Sequence, residues 1–589
     1  MATIRIGSFG GMLPAVDENL LPDTAAHYAE NCFLYSGALR PLPKPKDLHT
    51  LVDPSAGFVY RIPKSYTDAD YLYESTWMEF ASPNTNVIRS QVFQDIHDRY
   101  YFFSDSFPPR YNTHARITNK VAGVPTPLPP FLLGINPPSV PPGVTFSGGV
   151  DVVNARAYVY TWVSAYGEES APSPPTNVKD KIDATYTVTC APPPLADQGT
   201  DRNLTKIRLY RTVTSDSGVA TFFFVEEKPL AGAASIVFTD TATDADIALN
   251  EQISSTFYTP PPANLVGAVA MPNGMVTGWT QNDIWFCEPY RMHAWPAKYG
   301  QTVEYPIVGL GVLGQSCVVC TQGYPSVATG TDPAFISMAK LTVFEPCLSR
   351  GSILSSPEGV YYASPSGLQL VGPGVIDNIT RDAATKDKWQ KLTVLSRLRA
   401  ARLGTAYYAF GSTQIGVFDE EDFDPLDFEQ EDLSGAYIGI LIDPAVANVG
   451  IVQLTSPIAV VNVLTDPWSG ELFQIKGGKV WWLDMVDIET SLEVVYWNSK
   501  VFQTNQVRNF GALKLYFDVL PGTPPGALGR VKVLADGHHV AMDRPLVKSG
   551  QLMRPSSGWK ADFWQLLLTC QVKIKSVQMA NSVKELNDV

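Results

Sequence analysis

The residue types that most often hold metal ions are few and scattered in this chain. Its seven cysteines include one close pair, Cys317 and Cys320, and its seven histidines contain no spaced pair of the zinc-site kind. Two such thiols can supply half of a zinc site, but no second pair follows, and residues three apart in a strand point to opposite faces. The odd, sparse cysteine count also argues against a disulfide framework. The sequence therefore predicts no metal site.

Catalytic motifs of fixed spacing are also absent from the sequence. It holds no Gly-x-x-x-x-Gly-Lys-Ser/Thr phosphate loop, no His-Glu-x-x-His and no Gly-x-Ser-x-Gly. Glycan hydrolysis needs two carboxylates that flank a sugar, but Asp and Glu occur throughout this chain, so their presence decides nothing. We therefore predict no catalytic residue and no cofactor, and we expect a protein that is not an enzyme.

One acidic run stands out as a candidate site, at residues 419–432. It lacks the Asp-x-Asp-x-Asp-Gly frame of a calcium loop, and Pro425 interrupts it. We interpret it as a solvated loop between two strands, and a docking or ion-binding role stays open. Its nine acidic residues are Asp419, Glu420, Glu421, Asp422, Asp424, Asp427, Glu429, Glu431 and Asp432.

The composition indicates a large, turn-rich β protein. The 589 residues exceed what one core supports and predict about three or four domains. Hydrophobic residues make up 45% and charged residues only 17%, with 44 Gly and 47 Pro. The formal net charge of −14 argues against a chain-wide electrostatic grip on nucleic acid, although a local basic patch is not excluded.

The rest of the chain is organised around residues 265–484, where short apolar runs return every roughly 35 to 45 residues. In the clearest unit, residues 352–371, three β-favouring runs are separated by Pro357-Glu358-Gly359 and by Ser364-Pro365-Ser366-Gly367. Such a return is typical of four-stranded propeller blades, which stack on neighbours to bury both faces. A large β-sandwich or a run of irregular hairpins stays open as the alternative.

The fold class predicted is mainly β, with four segments. Residues 1–124 form an extended arm and strands that contribute to the propeller-like core, and residues 263–490 are its repeat region. Residues 125–262 hold a Pro-rich linker and an inserted sandwich whose strand and turn at 157–174 resemble the fibronectin type III pattern. Residues 491–589 form a C-terminal β domain. Helical character is predicted at 23–31 and at 385–392, where Thr385 is placed as the cap.

No stretch of the sequence has the features of a membrane span or a signal peptide. A run of 18 apolar residues is missing, and the first residues are broken by Gly7. We therefore expect the protein to be made in a cytoplasm.

Taken together, many weak motifs resemble the tail nozzle proteins of short-tailed bacteriophages, also called tail tubular protein B. The resemblance covers most of the chain and contains no single diagnostic site. Its carriers are residues 9–14 and 20–22, residues 31–42 with Ser-Gly-Ala-Leu-Arg-Pro, residues 158–174, residues 271–296 with Met-Pro-Asn-Gly-Met and Glu-Pro-Tyr-Arg-Met-His-Ala-Trp-Pro, and residues 305–311, 328–333 and 362–368.

The resemblance implies a structural virion protein of the phage tail. Such a protein forms a homohexameric tube below the portal and adaptor, and the genome leaves the capsid through it. Its partners would be its own copies, the head-to-tail adaptor, a tail needle or fibres, double-stranded DNA in passage without specific binding, and indirectly the host surface. The resemblance carries over no catalytic residue.

The net negative charge of the chain fits a conduit, because an acidic wall repels a DNA duplex, whereas Lys or Arg side chains bound to its phosphates would retain it. The acidic run at 419–432 is our candidate for a loop on the channel or at its mouth. The alternative function is a glycan-binding or glycan-degrading β-propeller protein of a virion surface. A secreted adhesion protein built of fibronectin-like modules is a third, weakened by the missing signal peptide.

Overall fold

Two compact units make up the chain in the computed structural model. It describes residues 3–63, 75–214, 220–414, 436–446, 449–485, 491–524, 526, 528–556 and 560–587. The first unit combines Met1–Pro83, Cys320–Pro325 and Leu341–Val589, and the second combines Asn84–Val319 and Ser326–Lys340. Each unit therefore combines stretches that are distant in the sequence, whereas each of the four predicted segments is continuous.

The predicted fold class is confirmed: the protein is mainly β, with a propeller-like core of small antiparallel sheets, an inserted β domain and C-terminal strands. Apolar runs punctuated by Gly, Pro, Asn and Asp produce this result, because each run forms a short strand and each punctuation a turn. One example is the Asn273-Gly274 turn. Gly274 has a φ of +81°, and a Cβ there would lie 2.6 Å from the ring of Tyr290.

The described residues of the first unit form six sheets. Two of these sheets have two strands each: Cys32–Phe33 with Arg40–Pro41, and Phe58–Pro63 with Ser75–Phe80. Three have four strands each, in spatial order Thr3–Ile6, Lys573–Ala580, Ala512–Asp518 and Leu552–Met553; Leu354–Ser355, Val360–Ser364, Gly367–Gly372 and Val375–Asn378; and Val460–Thr465, Leu472–Lys476, Lys479–Leu483 and Lys46–Thr50. The last sheet has ten strands, in spatial order Arg399–Leu403, Ala406–Gln414, Tyr437–Ile442, Ile451–Ser456, Ala26–Glu30, Val495–Ser499, Ala561–Cys570, Gly529–Ala535 and His539–Pro545, with Phe502–Arg508 also paired to Ala561–Cys570.

In the second unit, five sheets are formed by the part of the chain that the structure describes. Their strands are Phe131–Leu132, Arg110–Thr113, Arg99–Phe103 and Asn86–Arg89; Lys120–Val121 and Val124–Pro125; Ala220–Pro229, Leu204–Thr214, Gly143–Ser164, Thr176–Cys190 and Ile236–Asp240; Gly267–Ala270, Val276–Trp279, Asp283–Phe286 and Gln301–Thr302; and Ile307–Leu313, Ser316–Thr321, Ser326–Thr329 and Ser337–Lys340. The last two residues of Ser316–Thr321 are counted with the first unit.

Helices are short and few among the described residues. The α-helices are His114–Ile117, Leu195–Gly199, Asp244–Ile247, Lys386–Leu392 and Val583–Asn587, and the 3₁₀ turns are Ala297–Tyr299, Pro333–Phe335, Arg350–Ser352 and Leu395–Arg397. None of the described helices has the length and apolar character needed to cross a membrane.

The helix predicted at 385–392 is confirmed. Thr385 is the N-cap of Lys386–Leu392, although its side chain makes no capping hydrogen bond. Trp389 is fully buried on this helix, and its indole nitrogen donates to the carbonyl oxygen of Ser364 at 2.9 Å.

The helix predicted at 23–31 is wrong, because residues Ala26–Glu30 form a strand. The alanines favour a helix locally, but this segment lies between Ile451–Ser456 and Val495–Ser499 and hydrogen-bonds to both. Ala29 pairs with the buried Trp497, so a small side chain lies opposite a large one. Pairing with two distant strands therefore overrides the local preference.

A strand near the N-terminus completes a sheet whose other three strands come from residues 460–483. Lys46–Thr50 pairs antiparallel with Lys479–Leu483, with a register shift at Trp481. Leu51 and Val59 pack with Phe473 and Val480 in the same buried cluster. Residues more than 400 positions apart thus form one four-stranded sheet and its core.

The C-terminal strands divide between two sheets. Lys573–Ala580, Ala512–Asp518 and Leu552–Met553 form a four-stranded sheet with Thr3–Ile6. Val495–Ser499, Ala561–Cys570 and Gly529–Ala535 continue the ten-stranded sheet that begins with Arg399–Leu403. Trp497 and Trp564 are buried in the core beneath it, and the indole of Trp497 donates to the carbonyl of Gly10 at 3.2 Å.

The inserted domain forms one continuous five-stranded sheet. Its longest strands, Gly143–Ser164 and Thr176–Cys190, pair along most of their length with a register shift between Asp151 and Ala155. Such irregularities bend a strand. Tyr158, Tyr160, Tyr186 and Phe238 lie in the single core that the sheet encloses.

Candidate functional site

The acidic run at 419–432 lies outside the described residues, so its place stays a prediction. The nine residues concerned are Asp419, Glu420, Glu421, Asp422, Asp424, Asp427, Glu429, Glu431 and Asp432. The strands on either side are described. Ala406–Gln414 and Tyr437–Ile442 pair antiparallel, and Gln414 lies opposite Tyr437. The segment between them therefore starts and ends at adjacent positions of one sheet.

One cleft in the first unit is lined in part by carboxylates. It has a volume of about 380 Å³, and Glu358, Asp377, Asp382 and Arg381 lie on its wall. Arg381 already pairs with Asp377 at 2.9 Å. A hydrogen bond from the Ser356 hydroxyl lowers the pKa of Glu358, so this carboxyl is ionised at neutral pH. A glycosidase acid needs the opposite shift.

A buried carboxylate network surrounds Glu30 at the end of its strand. The hydroxyl of Tyr28 donates to one oxygen of Glu30, and Asn31 Nδ2 and Thr455 Oγ1 donate to the other at 3.1 and 2.7 Å. Asn31 Oδ1 in turn accepts from the backbone nitrogen of Thr455 at 3.1 Å. These bonds join residues more than 420 positions apart and hold the N-terminal strand in the ten-stranded sheet.

Burial shifts the titration of this network. It raises the pKa of Glu30, against the opposing hydrogen bonds from Tyr28 and Thr455. Glu493 and Lys476 line a water-sized cavity of about 30 Å³ next to Asn31. Burial raises the pKa of Glu493 and lowers that of Lys476. Burial thus disfavours the charged form of each of these groups.

The second unit contains two further buried ionic clusters. In the inserted domain, Arg211 donates to Asp240 at 2.9 Å, and Tyr158 donates to the same carboxylate at 2.7 Å. In the other cluster, Arg99 pairs with Glu168 at 2.9 Å and with Asp95 at 2.8 Å. These charges are paired with one another inside the protein, where they organise strands and turns.

Metal-binding potential is low in the part of the chain that the structure describes. No group of three or more His, Cys, Asp or Glu side chains converges there with metal-site geometry. Cys317 is completely buried and packs with Val319 and Ala328 in a hydrophobic cluster. Burial raises the pKa of this thiol to about 12, so it is protonated and inert as a ligand at neutral pH.

Several of these clusters were not foreseen from the sequence. Glu30, Glu168 and Arg211 lie in ordinary strand or turn contexts, and each has at least one partner from another segment of the chain. The only local signal is a charged residue within an otherwise apolar run, as in Lys206-Ile207-Arg208-Leu209-Tyr210-Arg211. That signal marks a buried charge but does not identify its partner.

Comparison with known proteins gives few points of reference. No protein-family model and no curated protein matches the chain. Among solved structures it is similar to the N-terminal domain of Nup159 (10% identity, 44% of this chain and 85% of that one, TM-score 0.21) and to the Pan2 WD40 domain of Neurospora crassa (10%, 47% and 85%, 0.22). A third is YCF48 bound to D1 peptide (12%, 54% and 94%, 0.21). At these TM-scores we draw no conclusion from the likenesses.

Proposed function

We propose that this chain is the tail nozzle subunit of a short-tailed bacteriophage. Six copies form a ring-shaped conduit below the portal and adaptor, and the genome is ejected through it. The protein is made in the host bacterial cytoplasm and resides in the virion tail. It acts as a wall, with no enzymatic step. The sequence resemblance over residues 9–368 motivates the assignment.

The structural observation that supports the proposal most directly is the way distant segments are joined. Lys46–Thr50 completes the sheet of Val460–Leu483, and Ala26–Glu30 joins two strands of the ten-stranded sheet. An edge strand paired in this way cannot peel off without breaking a long-range contact, so the unit resists local opening. A channel under the pressure of a leaving genome requires such stiffness.

Electrostatics also favours a conduit. Each chain carries a net charge of −14, so six copies sum to about −84 before counterions are counted. The wall of such a channel repels the phosphate backbone and lowers the retention of a passing duplex. The acidic run at 419–432 remains our candidate for the lumen or its mouth. A labelled loop found on the outer flank of an assembled ring would remove it from that role.

The test is the assembly state, measured with the adaptor present because a ring of this kind can need a template. Purified protein alone and mixed with its cognate adaptor is weighed by mass photometry and imaged as two-dimensional class averages. Hollow sixfold rings of about 390 kDa, six times 64.4 kDa, are the expected outcome. Monomers alone and with the adaptor, at concentrations up to the micromolar range, would refute the assignment.

A glycan-binding or glycan-degrading function is the second candidate, and the carboxylate-lined cleft is the observation that favours it. Its wall brings Glu358, Asp377 and Asp382 around a volume of about 380 Å³. Incubation with host polysaccharide, followed by measurement of released reducing ends, separates the two functions. Release that is lost in a Glu358→Gln/Asp382→Asn variant would favour the glycan function over the nozzle.

A further inference from the structure

The C-terminal part of this acidic protein is basic. Residues 501–589 contain 11 Lys and Arg against 6 Asp and Glu, although the whole chain carries a charge of −14. The charges of the two parts are therefore opposite in sign. A chain-wide average hides this separation, which matters because electrostatic contacts act over about a Debye length of 10 Å at moderate salt.

Backbone contacts bring five of these basic residues to one edge, which we call the basic edge: Arg530, Arg544, Lys548, Lys573 and Lys575. The turn that carries Lys548 is fixed on both sides. Gly550 N donates to Leu515 O at 2.7 Å, and Ser549 Oγ accepts from Phe517 N at 2.9 Å.

Strand register places the remaining members next to that turn. Asp518 lies opposite Lys573, and Arg530 lies opposite Pro545, the neighbour of Arg544. Leu546 N donates to Gly529 O at 2.8 Å, which holds the start of the turn beside Arg530. The five cations therefore lie at the ends of three strands and on one turn of the first unit.

The basic edge carries a surplus of positive charge at the surface. Asp543 pairs with Arg530 at 2.8 Å, and Asp518 pairs with Lys575 at 2.7 Å. Both cations remain more than half exposed, at 58% and 54%. Arg544 and Lys548 are exposed and Lys573 is half-buried, and none of these three pairs with a carboxylate among the described residues. The edge therefore has a net charge of about +3 available to an outside anion.

We propose that the basic edge binds the phosphate backbone of duplex DNA without sequence specificity. The charge is complementary, and a weak array of Lys and Arg contacts is what non-specific DNA binding requires. Tyr516 is 38% exposed on the same strand as Asp518 and adds a hydroxyl that can contact phosphate or sugar. The apolar neighbours are Val519 and Val547, short side chains unlike the Trp, Phe and Leu anchors of membrane-bound surfaces.

The choice of DNA as the anion rests on the proposed function, in which a duplex passes the protein. A contact of this kind deepens that function. An acidic wall keeps the duplex away from most of the surface, while one basic edge holds it loosely at a defined place. The binding itself is measured on the isolated chain, so it does not depend on ring assembly.

The experiment measures fluorescence anisotropy of a labelled 30-base-pair duplex of arbitrary sequence, titrated with the full chain at several salt concentrations. The edge variant is Arg544→Gln/Lys548→Gln/Lys573→Gln. The matched control is Lys386→Gln/Lys388→Gln/Lys391→Gln, which removes the same charge from exposed positions on the helix Lys386–Leu392. Thermal melts of all three proteins establish that each is folded.

The salt dependence decides the outcome, because each phosphate contact contributes about 0.9 to the slope of log K against log salt. For the edge variant we expect a slope of log K against log salt that is smaller in magnitude by roughly two to three, and an affinity at low salt that is weaker by at least about tenfold. The control variant should match wild type in both. Equal losses in both variants, no binding by wild type, or tighter binding to phosphatidylserine vesicles than to DNA would overturn the proposal. If the edge variant is unfolded, Arg544→Gln and Lys548→Gln are tested singly.

The result is separable from the nozzle assignment. A chain that binds duplex through the basic edge but never forms rings with its adaptor keeps this proposal and loses the nozzle. A chain that forms sixfold rings but whose edge variant binds DNA like wild type keeps the nozzle and loses this proposal.

Discussion

Replacing Glu30 by alanine tests whether the buried network fixes the N-terminal strand. The change removes the acceptor for Tyr28, Asn31 and Thr455 at once. A buried donor left without a partner costs about 1–3 kcal/mol, but relief of the buried charge offsets part of the sum. We therefore expect a loss of about 3 kcal/mol in the free energy of unfolding of the first unit.

Glu30→Gln is the matched control, because it keeps the shape and the oxygen that accepts from Asn31 and Thr455. We expect it to lie within about 1 kcal/mol of wild type at pH 7. Urea unfolding followed by tryptophan fluorescence measures both variants, since Trp497 lies in the strand next to Glu30. Equal stability of Glu30→Ala and wild type, or equal destabilisation by both substitutions, would refute the reasoning.

The difference in stability between wild type and Glu30→Gln should also depend on pH, with a definite sign. The pKa of Glu30 is raised in the folded state, so the folded protein binds this proton more tightly than the unfolded chain does. The stabilisation from this group is therefore complete below the unfolded pKa of about 4.3 and is lost as pH rises through the folded pKa. The stability of wild type relative to Glu30→Gln should fall over that range, and a difference that is constant with pH would contradict the assignment.

Three further predictions concern other parts of the protein. Arg211→Leu removes the closer of the two cations that face the buried Asp240 and leaves Arg156 at 3.8 Å, so the inserted domain should lose about 3 kcal/mol in urea unfolding; a loss under 1 kcal/mol would show that the Arg211–Asp240 pair is dispensable. Trp389→Ala empties a fully buried site and should cost about 3–5 kcal/mol and speed proteolysis of the first unit, unlike Lys386→Ala on the exposed side of the helix. Replacement of residues 419–432 by a Gly-Ser tetrapeptide should leave the melting temperature unchanged, because the flanking strands already pair; a large drop would give the run a structural role.

The strand pattern could be read from the sequence because strand and turn signals are local. The unit at residues 352–371 illustrates this, since its turns at Pro357–Gly359 and Ser364–Gly367 separate runs that form Val360–Ser364 and Gly367–Gly372. Thr385 likewise predicted the start of Lys386–Leu392. In each case the deciding residues lie within a few positions of the structure that they specify.

Pairing between distant segments could not be read in the same way. Ala26–Glu30 has helical composition, and only the facing Trp497 and the strand Ile451–Ser456 show why it is extended. The contact of Glu30 with Thr455, 425 positions away, and that of Arg211 with Asp240, 29 positions away, are equally invisible in the local sequence. The acidic run at 419–432 was visible in the sequence as a candidate, but a run of like charges states only that it is solvated, not what it faces.

The separation of charge gives the two proposals one physical basis. A wall that only repels DNA would keep the duplex centred but would not define its path, and a wall that only attracts would hold it. Residues 1–500 carry the whole negative surplus, whereas Arg544, Lys548 and Lys573 contribute positive charge at the basic edge. Three contacts contribute a salt slope of about 2.7, weak enough to exchange rapidly at physiological salt. A structural protein can therefore guide a passing polyanion with a small basic surface while its overall charge prevents retention.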